Sequence, residues 1–230
     1  MTLERLTFDS PVALVGGGVL DRGDLDLARR YAAHFVAADG GADQLAALGQ
    51  RPDAIVGDLD SLKDPAAWRE AGVPVHHSAD QDTTDFEKCL DLLAAPLLLC
   101  IGFGGARLDH QLAALAALAA RPSVPAILID REEIVFQSRD AVLDLAPGTR
   151  VSLFPMATST GVRSEGLRWS VEGLTLAPAV RVGTSNVAIA GQVRVAFDRP
   201  GVLMLLPRDS LDAAVAIFQT TGRAPSAAGK

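Results

Sequence analysis

Two carboxylates two positions apart close an apolar run in Ile55-Val56-Gly57-Asp58-Leu59-Asp60-Ser61. In an extended segment, residues i and i+2 point to the same side. Asp58 and Asp60 are therefore expected to project together where a strand stops. Like charges that close repel each other unless a proton or a cation lies between them. A second acidic cluster, Asp80-Gln81-Asp82-Thr83-Thr84-Asp85, leads into a helical pattern that Asp82 or Thr83 can cap. Capping and the helix dipole explain single acids there without any function. They do not explain two acidic clusters at one predicted sheet edge. Mg²⁺ takes a few carboxylates together with waters and substrate phosphates. Asp58, Asp60 and Asp85 are accordingly the candidate metal ligands, with a polyphosphate as the molecule the metal holds.

Gly102-Phe103-Gly104-Gly105-Ala106-Arg107 reads as a loop that lets backbone approach a phosphate at a helix start. Arg107 adds a guanidinium whose fork matches phosphate oxygens. Asp109 has three readings: it orients Arg107, it binds a ribose or base, or it is an ordinary helix-start acid. Gly16-Gly17-Gly18 and Asp39-Gly40-Gly41 extend the glycine theme. The chain has neither a Gly-x-x-x-x-Gly-Lys-Ser/Thr loop nor a Gly-x-Gly-x-x-Gly fingerprint. A bound nucleotide is therefore held by another arrangement.

The elements that must position these groups alternate in type. Strands are expected over Pro11–Val15, His34–Ala38, Asp53–Val56, Val73–His77, Leu97–Ile101, Ala126–Ile129 and Ile134–Phe136, with helical patterns between most of them. Phe86, Cys89, Leu90 and Leu93 mark one face of a 3.6 period. Alternation of this kind predicts an α/β domain with a mostly parallel sheet flanked by helices. Right-handed crossovers would bring the βα turns, and so the scattered aspartates, to the carboxyl edge of that sheet. From about Asp140 the chain has short β-type runs and frequent glycines, predicting an antiparallel sandwich or barrel. The expected domains are 1–138 and 139–230. Trp169 reads from composition as a packing residue, and Thr184-Ser185-Asn186 as a polar hairpin turn.

The 230 residues carry a net charge of −7 and show no Lys/Arg cluster, which speaks against a nucleic-acid surface. No apolar stretch approaches a membrane span, and no long apolar segment follows the first residues. Cys89 and Cys100 read as buried reduced thiols, and the expected location is cytoplasmic.

Taken in order, these motifs resemble the thiamine pyrophosphokinase family. The resemblance rests on Asp39-Gly40-Gly41-Ala42, Pro52 with Ile55 to Ser61, Asp80 to Lys88, Arg107-Leu108-Asp109-His110, Gly166-Leu167-Arg168-Trp169 and Gly183-Thr184-Ser185-Asn186. It implies an α/β domain followed by a β-sandwich, working as a homodimer. The implied reaction moves a pyrophosphoryl group from ATP to the thiamine hydroxyl and releases AMP. By motif, Asp58, Asp60 and Asp85 would bind Mg²⁺. Asp39, Gly40, Gly41, Gln81, Asp82, Thr84, Arg107 and Asp109 would serve ATP. Trp169, Ser185 and Asn186 would form the thiamine pocket, with Trp169 stacking on the vitamin across the dimer interface. Two residues depart from the family pattern: Ala106, where a glycine is usual, and Ala114, where Asn is frequent. The alternatives are transfer to another hydroxymethyl heterocycle such as a pterin, or a non-catalytic sensor of nucleotide or thiamine.

Overall fold

The computed structural model describes residues 5–78, 80, 82–105 and 107–221. They form two compact units that divide between Arg131 and Glu132. The first unit runs β1 (Leu6–Thr7), β2 (Val12–Val15), α1 (Arg22–Arg29), β3 (His34–Ala38), α2 (Gly41–Ala47), β4 (Ala54–Gly57), α3 (Pro65–Glu70), β5 (Val75–His77), α4 (Asp85–Leu92), β6 (Leu93–Ala94), β7 (Leu98–Ile101), α5 (Leu108–Ala120) and β8 (Ala126–Ile129). Its main sheet is parallel, in the order β8-β7-β2-β3-β4-β5. A short parallel pair, β1 with β6, is an addition that the sequence pattern did not reveal.

Every residue of β2, β4, β7 and β8 is buried. Alternate residues of a strand face opposite sides, so burial of all of them requires cover on both faces. Leu14, Ile55 and Leu99 have no exposed surface, and truncating such a side chain to Ala costs about 2–5 kcal/mol. The chain winds outward from β2 through β3 and β4 to β5, then resumes at β7 on the other side of β2. The β2/β7 boundary is thus a topological switch point, where open α/β sheets form a ligand crevice at the strands' carboxyl ends. The loops leaving β2 and β7 are the glycine-rich ones.

The helix that follows the second acidic cluster starts later than expected. Thr84, not Asp82 or Thr83, is the N-cap of α4. It forms a capping box in which Glu87 N–H donates to Thr84 Oγ1 and Thr84 N–H donates to Glu87 Oε2.

The second unit contains β9 (Glu133–Gln137), β10 (Ala141–Asp144), β11 (Arg150–Pro155), β12 (Ser159–Glu165), β13 (Thr175–Leu176), β14 (Gly183–Val187), β15 (Gln192–Phe197), β16 (Val202–Pro207) and α6 (Leu211–Thr221). The strands pair antiparallel in two sets, β14-β11-β16-β9 and β10-β15-β12-β13. The division at Arg131/Glu132 lies upstream of the 138/139 boundary expected from sequence. The reason is that β9 pairs with β16 through the whole run from Gln137↔Leu203 to Glu133↔Pro207. Gly183–Val187 is a strand, so Thr184-Ser185-Asn186 is not the hairpin turn that its polarity suggested.

Candidate functional site

Asp58 and Asp60 do converge, but not through extended backbone. Leu59 between them has φ 69°, in the left-handed region, which costs a non-glycine residue roughly 1–3 kcal/mol. The chain therefore turns, and Asp60 N–H donates to Asp58 Oδ1 at 3.3 Å. Asp39 follows β3 and is also left-handed, with φ 43°. It is only 2% exposed. Its Oδ2 accepts from Ser61 N–H at 3.0 Å, while Oδ1 has no hydrogen-bond partner among the described residues. Burial pushes the Asp39 carboxyl up to about 6, and nearby Asp85, Asp60 and Asp58 add to that against the Ser61 N–H. One oxygen from each of Asp39, Asp58 and Asp60 lies within 4.8 Å of the others. Gly57 leaves the room for this: a Cβ there would lie 2.9 Å from Asp39 Cβ and 3.1 Å from Asp85 Oδ1.

Asp85 opens α4 and faces Lys88, a motif residue to which the sequence assigned no role. Lys88 Nζ donates to Asp58 Oδ2 at 2.9 Å and to Asp85 Oδ1 at 3.0 Å. The Lys88 side chain is only 5% exposed. Burial opposes its charge, yet the two carboxylates hold its pKa above the usual value. Burial likewise works upward on Asp58, but the Lys88 hydrogen bond and the Asp60 N–H bring it below the ordinary carboxylate range. The sequence signal for Lys88 was its position: on a helix it shares a face with Asp85 and Leu92, where a lone cation needs a partner.

These groups border a cleft of about 740 Å³ in the first unit. Gly16 to Gly18 and Gly102 to Gly104 line it, as do Asp39, Gly40, Asp58, Asp60, Thr84, Asp85 and Arg107. The two glycine loops pack backbone on backbone. Gly18 N–H donates to the Gly102 carbonyl at 2.8 Å, and a Cβ on Gly16 would lie 2.5 Å from that same oxygen. Loop-on-loop packing, as well as any ligand, therefore demands these glycines. Phe103 anchors the second loop against Phe86 of α4, with ring centroids 4.4 Å apart.

Several expected residues lie elsewhere. Gln81 and Ala106 fall outside the described residues. Asp82 and Asp109 are exposed and do not line the cleft. Gly41 is buried under the Val15 carbonyl. Asp109 instead grips Arg107 in a two-armed pair, with Nε to Oδ1 at 3.1 Å. That pairing lowers the Asp109 carboxyl and raises the Arg107 guanidinium. Of the three readings open for Asp109, orientation of Arg107 and a helix-start acid both have support, since Asp109 also stands in the first turn of α5 and accepts from the His110 N–H. Lys63, not singled out from sequence, also lines the cleft, and Ala113 and Ala114 form part of the α5 wall.

In the second unit Trp169 is 56% exposed, so it is not the packing residue that composition suggested. The Arg168 guanidinium lies over its ring at 5.6 Å. Asn186 is buried and fixes the Trp169 backbone. Its Nδ2 donates to the Trp169 carbonyl at 2.7 Å, and its Oδ1 accepts from the N–H groups of Trp169 (3.2 Å) and Val187 (2.9 Å). Asn186, expected at a ligand, therefore works on main chain. Ser185 is exposed, with φ 62°, and its N–H donates to Ser152 Oγ at 3.0 Å.

Comparison with known proteins agrees with both units. Residues 26–128 match the family model described as thiamin pyrophosphokinase, catalytic domain. Residues 133–202 match the model described as thiamin pyrophosphokinase, vitamin B1 binding domain. Thiamine pyrophosphokinase 1 of Oryza sativa subsp. japonica is 25% identical over 197 residues, covering 71% of this chain and 75% of the relative. The fold resembles the crystal structure of yeast thiamin pyrophosphokinase, with a TM-score of 0.73 at 17% identity, over 90% of this chain and 92% of that one. It also resembles thiamin pyrophosphokinase from Geobacillus thermodenitrificans, with a TM-score of 0.68 at 23% identity, over 86% and 96% of the two chains. With one family's two domain models matched in order across most of its length, the chain belongs to the thiamin pyrophosphokinase family.

Proposed function

We propose that this protein transfers a pyrophosphoryl group from ATP to the hydroxyl of thiamine, giving thiamine diphosphate and AMP. The observation that carries this reading is the acid cluster at the sheet's carboxyl edge, beside a cleft walled by the two glycine loops. The thiamine hydroxyl oxygen attacks the β-phosphorus of ATP. The bond from that phosphorus to the α–β bridging oxygen breaks, AMP leaves with the electron pair, and the hydroxyl proton passes to water. Positioning and electrostatics do most of the work in such transfers.

The acid cluster suits Mg²⁺. Its donors are all carboxylate oxygens, the ligand type a hard cation takes. The buried, unpartnered Oδ1 of Asp39 is costly unless a cation or proton meets it. Asp39, Asp58 and Asp60 would hold the ion. Asp85, the third ligand expected from sequence, is read here as the neighbour that shares Lys88 with Asp58. Bound there, Mg²⁺ supplies positive charge against the ATP phosphates. Arg107, oriented by Asp109, brings a second positive group to the cleft. Gly40 and Thr84 line the nucleotide side. Gln81 and Asp82 keep the nucleotide roles implied by their motif.

The second unit is read as the thiamine-binding part. An exposed indole suits a flat cationic heterocycle, with Ser185 as a polar contact and Asn186 as the clamp behind Trp169. The homodimer is read from the family resemblance; Val162, Val180, Val182 and Ile189 are exposed on this unit and would be available to such an interface. Buried free Cys89 and Cys100 fit a reducing cytoplasm. Among the described residues no helix is long and apolar enough to cross a membrane. Incubation with ATP, Mg²⁺ and thiamine should yield AMP and thiamine diphosphate in equal amounts. ADP with thiamine monophosphate would overturn the reading.

A further inference from the structure

We propose that Lys88 is the resident counter-cation of the acid cluster: a positioning residue that holds Asp58 and Asp85 together without a metal and lowers the affinity for free Mg²⁺, so that the ion enters with the nucleotide's phosphates. The inference rests on the reading of the cluster as a Mg²⁺ site. Four carboxylates, Asp39, Asp58, Asp60 and Asp85, gather at this edge, and Lys88 is the cation paired with two of them. Its Nζ sits 2.9 Å from one carboxylate and 3.0 Å from the other. It does not line the cleft; it approaches the acids from the buried side, on the face of α4 that also buries Leu92. It is therefore placed to act on the acids, not on a substrate.

Two physical consequences follow from that placement. Removing one partner of a buried ion pair leaves the other charge uncompensated, so without Lys88 the metal-free site should come apart electrostatically. A fixed positive charge next to the ligands also opposes a second cation. Free Mg²⁺ is thereby held weakly, and an ion already carrying phosphate charge is favoured.

The test compares the natural chain with Lys88→Met, measuring thermal unfolding in EDTA and in MgCl₂, and titrating MgCl₂ alone by calorimetry. In EDTA the variant should unfold on the order of 5–10 °C lower. Mg²⁺ should restore most of that loss, so its stabilising shift is larger in the variant. Free Mg²⁺ should bind about tenfold tighter, and the Mg²⁺ concentration for half-maximal rate should fall while kcat also falls. Lys88→Arg keeps the charge and should keep Mg²⁺ affinity within about twofold. If Lys88→Met does not fold, Lys88→Gln, which keeps a donor but drops the charge, should show the same pattern. An equal loss of stability with and without Mg²⁺, or unchanged or weaker Mg²⁺ binding, would overturn the proposal. The titrations use neither ATP nor thiamine. Tighter Mg²⁺ binding without AMP release from the natural chain would sink the reaction and leave Lys88's role standing; AMP release with unaltered Mg²⁺ binding in the variant would do the reverse.

Discussion

In the first unit the candidate residues are crowded and charged, and the innermost are withdrawn from water: Asp39 is buried, Asp58 leans on buried Lys88, and both aspartates stand at strand ends. In the second unit the candidate residues are an exposed indole and an exposed serine, Trp169 and Ser185, with Asn186 hidden behind the indole. The first arrangement concentrates charge where a polyphosphate can be neutralised, and tolerates repulsion and left-handed backbone at Asp39 and Leu59 to do so. The second presents flat apolar area held by neutral hydrogen bonds. On the proposed reading, reaction chemistry and vitamin recognition would draw on different physics, and substitutions in the two units should fail in different ways.

The largest effect is expected at Asp58. Asp58→Asn should lower kcat by about 10³-fold or more, the order seen when a principal electrostatic group is lost, while circular dichroism stays unchanged. Near-normal turnover would break the assignment of chemistry to the first unit. Trp169→Ala should raise the thiamine KM about tenfold, with the ATP KM and the thermal midpoint little altered because the ring is exposed. A matching rise in the ATP KM would blur the division between the units. Asn186→Ala should show the opposite balance. It removes the part-buried hydrogen bonds to the main chain of Trp169 and Val187, at about 1 kcal/mol each, so chemical denaturation should register the loss before thiamine binding does.

The smallest effect concerns pH. The Asp39 carboxyl sits at about 6 in the folded chain against 3.8 unperturbed. The native state therefore keeps a proton that the unfolded chain has lost between about pH 4 and 6. Stability of the metal-free protein should be greatest below that window, fall as pH rises through it, and level off above. Asp39→Asn should remove the fall and stabilise the metal-free chain at pH 8 by about 1–3 kcal/mol, while Mg²⁺-dependent turnover drops. A pH-independent difference between the two would show that Asp39 does not carry the titration.

Much of the first unit was legible because its signals are local. Val12–Val15 and Leu98–Ile101 are continuous apolar runs, and a buried parallel strand has few other sequence forms. The placement of Asp58 and Asp60 at a strand end followed from that. Their convergence did not: period-two reasoning assumed extended backbone, and Leu59 is left-handed. The role of Lys88 was hidden because, although Asp85 is three residues away, its second partner Asp58 lies 30 residues upstream at the end of β4. Asn186 was misjudged for a similar reason. A polar residue in a Gly-Thr-Ser-Asn run resembles a turn until β14 pairs with β11 and buries it. The start of the second unit was blurred because β9 follows β8 so closely in sequence that both read as one α/β pattern; only the pairing with β16 separates them.

The interlocked glycine loops bear on how this site can be redesigned. With Gly16 and Gly18 against the Gly102 carbonyl, neither of these two positions, nor Gly102 itself, can accept a side chain unless the other loop retreats. Evolution or an engineer seeking a different phosphate donor has no single-residue route through those three positions. The α5 wall is different: Ala113 and Ala114 already carry side chains at the cleft, on a regular helix. Changes in donor preference should therefore accumulate on α5, while the loops stay as the invariant frame around which such variation is built.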